Sequence, residues 1–125
     1  MTTSITSTGV TFNDTTTLST AGYFTWAAVQ TTSFTASVNT KYPVNTTSAA
    51  ITVTLPASPA AGNQIVILDY AGTAATNNIT IVGNGNNIDG SVVSAIINTN
   101  RGSLTLIYID ATQGWVNKAS TTQAI

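Results

Sequence analysis

The stretch that decides the fold is residues 50–70, "AITVTLPASPAAGNQIVILDY". Its first part alternates isoleucine, valine and leucine with threonine, which is the two-residue period of a half-buried strand. A break follows at 56–63, where two prolines that cannot donate to a ladder and a glycine favour a turn. The continuous apolar run at 64–70 then predicts a second strand, buried on both faces.

The same pattern continues on both sides of this stretch. Further strands are predicted at 33–38, 79–82, 92–97, 103–109 and 115–118. They recur roughly every 10 to 14 residues with glycine, asparagine or proline between them, as in antiparallel sandwiches and small barrels. No segment keeps a helical period over ten positions. The sequence therefore predicts an all-β fold, an antiparallel β-sandwich or a small barrel.

The N-terminal residues 1–30 differ from the body predicted for residues 31–125. They are rich in threonine, with isolated apolar residues before an aromatic cluster. We interpret them as an extended attachment arm ending in a short anchor, for which a single helical turn is one option. The arm cannot bury its own Phe12, Phe24 and Trp26, and a sheet needs its edges covered. In a closed cyclic oligomer a neighbouring copy can cover both the aromatic side chains and the sheet edges, so a homotrimer is expected.

Charge is scarce in this sequence. Three basic and four acidic side chains give a formal net charge of −1. Nucleic-acid binding and electrostatic membrane anchoring both need clustered basic residues, so neither partner is expected. The first ten residues lack the basic and apolar regions of a signal peptide, and no run approaches the roughly 20 apolar residues of a spanning helix. Neither secretion nor membrane insertion is predicted.

The sequence contains no cysteine and no histidine. Nucleophilic pairs with histidine and thiolate or imidazole zinc sites are therefore excluded. A glycosidase pair would have to come from four aspartates without any glutamate. Capping of turns explains two of them better, because Asp69 and Asp110 each close a predicted strand. No enzyme activity, catalytic residue or cofactor is expected. The four aspartates are Asp14, Asp69, Asp89 and Asp110.

The stretch "GNGNNIDGS" at residues 83–91 concentrates residue types that binding sites use. A dinucleotide fingerprint needs a third glycine where Ile88 stands, and a helix after it. Calcium is the better competitor, with Asp89 as its carboxylate, although the repeated aspartates of calcium loops are missing. A turn between two strands is the favoured interpretation, because glycine and asparagine tolerate positive φ. The amide oxygens of a calcium site would come from Asn84, Asn86 and Asn87.

Four aromatic residues are candidates for stacking against sugar rings. Packing in the core or between subunits is the favoured interpretation for them, since aromatic side chains dominate both kinds of contact. The four are Trp26, Tyr70, Tyr108 and Trp115.

One long segment resembles a known module. From Tyr42 to Trp115 the sequence runs through "YPVNT", "VTLPASPAAG", "DYAGTAATNNITI", "NGNNIDG" and "LIYIDATQGW". This order resembles a module of tail-fibre and other virion structural proteins of tailed phages, especially cyanophages and marine phages. The N-terminal "GVTFNDTTTLSTAG" at residues 9–22 also resembles segments of phage fibres.

The resemblance implies a non-enzymatic component at the surface of a phage particle, usually a homotrimer, with the arm bound to other virion proteins. Fibre chains that carry this module are usually much longer, which favours a minimal short tail fibre or a capsid appendage. The fibre-like arm favours the short tail fibre, which would attach to host surface glycans. The alternative is a capsid decoration or cement protein that stabilises the phage head.

Overall fold

The computed structural model describes residues 24–117 and two short strands before them, β1 (Ser4–Thr6) and β2 (Gly9–Thr11). These two strands pair antiparallel. The other residues of the predicted arm lie outside the described part of the chain, and so do Phe12 and Asp14.

Within residues 24–117 the chain forms nine strands and no helix, which confirms the all-β prediction. The helical turn considered for the end of the arm is wrong, because a strand ends at Trp26 and residues 27–30 form no helical turn. The strands are β3 (Thr25–Trp26), β4 (Phe34–Thr35), β5 (Thr40–Val44), β6 (Ile51–Thr54), β7 (Gln64–Asp69), β8 (Ile79–Val82), β9 (Ala95–Ile97), β10 (Ser103–Asp110) and β11 (Gly114–Asn117).

These strands build two sheets that share one hydrophobic core. The five-stranded sheet has the order β11-β10-β7-β5-β3, and the four-stranded sheet has the order β4-β6-β8-β9. From β3 to β8, successive strands alternate between the two sheets, so three coils of two strands each stack upon one another. Each sheet keeps its own edges, as a sandwich does and a closed barrel does not.

The predicted antiparallel pairing is wrong for the first part of the body. The ladders β3–β5, β5–β7, β4–β6 and β6–β8 are all parallel. Antiparallel pairing begins only where β9, β10 and β11 are added. The physical reason is that a two-residue period reports which face of a strand is buried and carries no information on strand direction.

The core lies between the two sheets and is mostly aliphatic. On β7, Ile65 and Ile67 are fully buried while the side chains between them are half-buried. The prediction that residues 64–70 are buried on both faces is therefore wrong. Fully burying one such side chain contributes about 2 kcal/mol. The fully buried aliphatic residues larger than alanine are Val44, Val53, Leu55, Ile65, Ile67, Ile79, Ile81 and Leu106.

Candidate functional site

The loop at residues 83–91 covers the outer edge of β11. The backbone N–H of Trp115 donates to Asn87 O over 2.8 Å, and Asp89 N donates to Trp115 O over 2.7 Å. Gly90 N donates to Gln113 O over 2.9 Å. This part of the loop therefore takes the place of a further strand along an edge that would otherwise be open.

The asparagine side chains of the loop bind carbonyl groups of neighbouring turns. Asn84 Nδ2 donates to Leu55 O over 3.0 Å. Asn87 Nδ2 donates to Thr112 O over 2.9 Å. Asn86 Nδ2 lies 3.2 Å from Ala57 O. Because every acceptor is a carbonyl oxygen, the side chain must carry N–H donors, which asparagine has and a charged aspartate lacks.

Close backbone contacts explain two glycines at this edge. A Cβ atom on Gly83 would lie 2.1 Å from Asn86 O, and one on Gly114 would lie 1.9 Å from Asn87 O. No helix follows the loop within residues 24–117, since the next element is β9. The structure confirms the turn between two strands and contradicts the dinucleotide fingerprint.

The calcium candidate Asp89 has a role within the protein itself. Its Oδ1 accepts a hydrogen bond from Asn117 N over 3.0 Å, and its φ of 51° places it in the left-handed region. Within the described residues, no three acidic, histidine or cysteine side chains come together as a metal-ligand group. The geometry therefore assigns Asp89 to the covered edge.

Asp69 is a buried carboxylate that holds two turns in place, one at residues 72–74 and one at Arg101. Its Oδ1 accepts a bond from Gly72 N at 3.1 Å, and its Oδ2 accepts bonds from Ala74 N at 3.0 Å and Arg101 N at 2.9 Å. Burial by itself raises the pKa of Asp69. The hydrogen bonds from the backbone N–H groups of Arg101, Ala74, Thr73 and Gly72 outweigh burial and hold the pKa below its ordinary value.

Asp110 caps the turn between β10 and β11. Its Oδ1 accepts bonds from Thr112 N at 3.0 Å and Gln113 N at 2.9 Å. The predicted turn-capping is thus confirmed for Asp69 and Asp110. Asp69 N bonds to Gly102 O just before β10 begins, whereas Asp110 ends this eight-residue strand. The two carboxyl groups are therefore roughly 20 Å or more apart, well beyond the roughly 5 to 9.5 Å of a glycosidase pair.

The four aromatic candidates divide into two groups. Trp115 is fully buried and meets Tyr108 edge to face, with ring centroids 5.6 Å apart, so the packing interpretation is confirmed for these two. The indole N–H of Trp115 has no hydrogen-bond partner within the described residues. Trp26 and Tyr70 are exposed, at 60% and 47%.

Sequence reasoning missed a cation–aromatic cluster on β3 and β5. Lys41 Nζ lies 5.1 Å from the ring centroid of Trp26 and 5.3 Å from that of Phe24. The parallel register places Trp26 directly beside Lys41. Such a contact contributes about 0.5–1 kcal/mol at an exposed site. No local sequence signal predicts it, because the contact depends on a pairing between distant segments.

Sequence reasoning also missed an exposed apolar surface beside the loop. Val92 is 87% exposed, and Val93 and Ile96 are 59% and 53% exposed. An open groove of about 230 Å³ runs between the two valines and residues 82–86. The surface was missed because a strand was predicted over residues 92–97, whereas only Ala95–Ile97 pairs with a neighbouring strand.

A scan against protein-family models found no match for this sequence, and a search of curated proteins found no match either. No helix in the described part of the chain is long and apolar enough to cross a membrane. The fold and the site therefore define a structural class and no family. It is an all-β protein of two mixed sheets in which loop amides and buried or capping carboxylates hold the backbone in place.

Proposed function

We propose that this protein is a non-enzymatic structural protein of a tailed-phage virion and acts as a short, trimeric tail fibre for host attachment. The proposal is supported mainly by one observation: the residues that resemble those of phage modules lie at turns between the strands. Asp69 and Gly72 of "DYAGT" meet in one hydrogen bond that shapes a turn. Asp110 and Gly114 of "DATQGW" shape the turn before β11, where Gly114 has a φ of 71°. These residues fix the turns between strands and so make the body rigid, which a fibre requires.

Host recognition in this proposal uses surface aromatics. Trp26 and Tyr70 each expose about half of their surface or more, and an aromatic face stacks on the apolar face of a sugar ring. One such contact is weak. Three copies in a trimer raise the overall avidity without any new contact, provided that the sites engage one surface together. The partners are therefore host surface glycans, with no nucleic acid and no membrane insertion.

The trimer and its arm complete the proposal. Residues 1–30 would bind other virion proteins or wrap a neighbouring copy. The exposed aliphatic side chains of the body support association of copies, since apolar surface in contact with water favours burial against a partner. The protein would then lie at the surface of the phage particle.

One observation favours a second function, decoration of the capsid. The exposed surface of Val92, Val93 and Ile96 is apolar, and it adjoins a loop fixed by several amide bonds. A cement protein that bridges capsomers needs a rigid apolar surface of this kind rather than a sugar groove.

Location on purified particles separates the two functions. Antibody against the protein, coupled to gold, is applied to washed virions and to particles of a mutant phage that lacks the gene. Gold confined to the tail supports the fibre, and gold over the head supports decoration. Washed particles that carry no protein by mass spectrometry and no gold would contradict both.

A further inference from the structure

The outer face of the five-stranded sheet carries the cation–aromatic cluster. On β5 and β7 buried residues alternate with half-buried ones, so Tyr42 points into the core while Lys41 points outward. Residues paired in register point to the same face, and the row of Lys41 continues across four strands. Its members, in order from β3 to β10, are Trp26, Lys41, Val66 and Thr105.

Lys41 is the only charged residue on the paired rows of this face. The one acidic residue of β7, Asp69, is buried and points to the core. An anion placed on this face would therefore meet one cation and no carboxylate. The rows on either side of Lys41 consist of Pro43, Leu68 and Ser103, and of Gln64, Ile107 and Val116.

The ammonium group of Lys41 lies against two aromatic rings. Its Nζ is 5.1 Å from the ring centroid of Trp26 and 5.3 Å from that of Phe24. Among the described residues it has no carboxylate partner and no hydrogen-bond acceptor. A lysine ammonium has three N–H donors, for which a ring face is only a weak acceptor. These donors are therefore available to an anion, while the two rings fix their position.

Trp26 gives the cluster a large exposed aromatic surface, since the residue is 60% exposed. The half-buried Val66 and Leu68 continue the apolar surface across β7. The hydroxyl group of Thr105 follows on β10, three strand spacings or roughly 14 Å from β3. A sugar chain has apolar ring faces and polar edges, so it matches a surface of one exposed indole, aliphatic side chains and a hydroxyl group.

We propose that this face binds an anionic sugar chain, with one ring stacked on Trp26 and a carboxylate or sulfate group of the chain bound by Lys41 Nζ. The inference rests on the proposed attachment to host glycans and names their chemical class. A hydrogen bond from an ammonium group to such an oxyanion is stronger than one between neutral groups. The acidic group therefore determines which sugar is preferred, whereas the indole stacks on charged and neutral rings alike.

The single cation argues against other occupants of this face. Membranes and nucleic acids are bound by several clustered basic residues, whereas this face has Lys41 alone. Face-to-face pairing of two copies is disfavoured as well. It would bury both lysines with no carboxylate on either face, and an uncompensated buried charge is costly.

The test measures binding of sugar probes to the full-length chain by isothermal titration calorimetry. The anionic probes are oligogalacturonate, oligomannuronate and sulfated galactan oligosaccharides. The neutral counterparts are the methyl esters of the first two and desulfated galactan, which keep the rings and remove the charge. Lys41→Met removes the cation, Lys41→Arg keeps it, and Trp26→Ala removes the indole. Ile96→Ala is the control on the outer face of the other sheet, and circular dichroism checks that each variant is folded.

The natural chain should bind at least one anionic probe in roughly the millimolar range, and at least about threefold more tightly than its neutral counterpart. Lys41→Met should remove this preference, and Lys41→Arg should keep it. Trp26→Ala should weaken binding of the charged and neutral forms at least about threefold. Ile96→Ala should change neither. Salt at about 0.5 M should bring the natural chain close to Lys41→Met, because salt screens an exposed charge.

Equal affinity for charged and neutral forms would overturn the anionic class, as would a preference that survives in folded Lys41→Met. Unchanged affinity in folded Trp26→Ala would place the site elsewhere, and absence of binding to every probe would also overturn the inference. The attachment function has a separate measurement. The purified chain should compete with phage particles for adsorption to host cells, and failure to compete would contradict attachment itself rather than the class of sugar.

Discussion

The carboxylate of Asp69 accepts a hydrogen bond from the backbone N–H of Arg101 over 2.9 Å, between residues 32 positions apart in the chain. Asp69 ends β7, the last strand of the five-stranded sheet to pair in parallel, and Arg101 lies in the turn before β10, which pairs with β7 antiparallel. This bond therefore joins the two parts of the body at the point where the pairing direction changes.

Replacement of this carboxylate should destabilise the fold strongly. Asp69→Asn keeps the shape of the side chain but replaces one acceptor oxygen with an NH₂ group. That group would face a backbone N–H that now donates to Asp69, so we expect a loss of about 2–4 kcal/mol in the free energy of unfolding. Urea denaturation followed by tryptophan fluorescence measures this loss. The control is Asp110→Asn, an exposed cap that should cost about 1 kcal/mol or less. Equal losses in the two variants would contradict the central role of Asp69.

Stability should fall in acid because of the same residue. The pKa of Asp69 is lowered in the folded chain, so the unfolded chain binds a proton more readily than the folded chain does. The stabilisation is complete above the ordinary carboxyl pKa of about 4, and is lost as the pH falls through the lower folded pKa. Urea midpoints between pH 7 and pH 2 should decline for the natural chain and decline less for Asp69→Asn. Parallel curves for both would contradict this assignment.

Gly114 should tolerate no side chain. An added Cβ would lie 1.9 Å from Asn87 O, and the residue has a φ of 71°. Gly114→Ala should therefore lower the midpoint of thermal unfolding, with a cost of about 3 kcal/mol or more. Gly62→Ala is the matched control, since Gly62 has a φ of 91° with open space around it, and there only strain of about 1 kcal/mol remains. A similar small cost at both positions would show that the loop does not approach β11 closely.

The amide of Asn87 should not be replaceable by a carboxylate. Asn87 Nδ2 donates to Thr112 O. A charged aspartate there would place a carboxylate oxygen against this carbonyl oxygen, which should lower the free energy of unfolding by about 1–3 kcal/mol. The cost of Asn87→Asp relative to the natural chain should shrink near pH 3, since a protonated carboxyl group can donate again. Asn98→Asp serves as the control on an exposed asparagine, with a change within about 0.5 kcal/mol. A cost that does not depend on pH would argue against this hydrogen bond.

The positions of most strands follow from the sequence, whereas β3, β5 and the pairing partners of the strands do not. The alternation of Ile51, Val53 and Leu55 with threonine placed β6 correctly, because burial on one face imposes that period. The parallel pairing of β6 with β8 depends on a crossover through the other sheet, which local periodicity does not encode.

The candidate site shows the same division. Capping by Asp69 and Asp110 was predictable, since both stand where a strand gives way to small residues. The covering of β11 by residues 87–91 was not, because Asn87 and Trp115 are brought together only by the folded sheets. The exposure of Val92 could not be read from an apolar run either, since apolar residues in a strand are usually buried.

The copy number of this protein per purified virion tests the central proposal most directly. Particles are purified by density gradient, and peptides of this chain are quantified by mass spectrometry against those of the major capsid protein. A trimeric fibre predicts on the order of tens of copies, in multiples of three because each fibre contains three chains. Several hundred copies would identify a capsid decoration protein instead, and absence from the particles would contradict a virion role altogether.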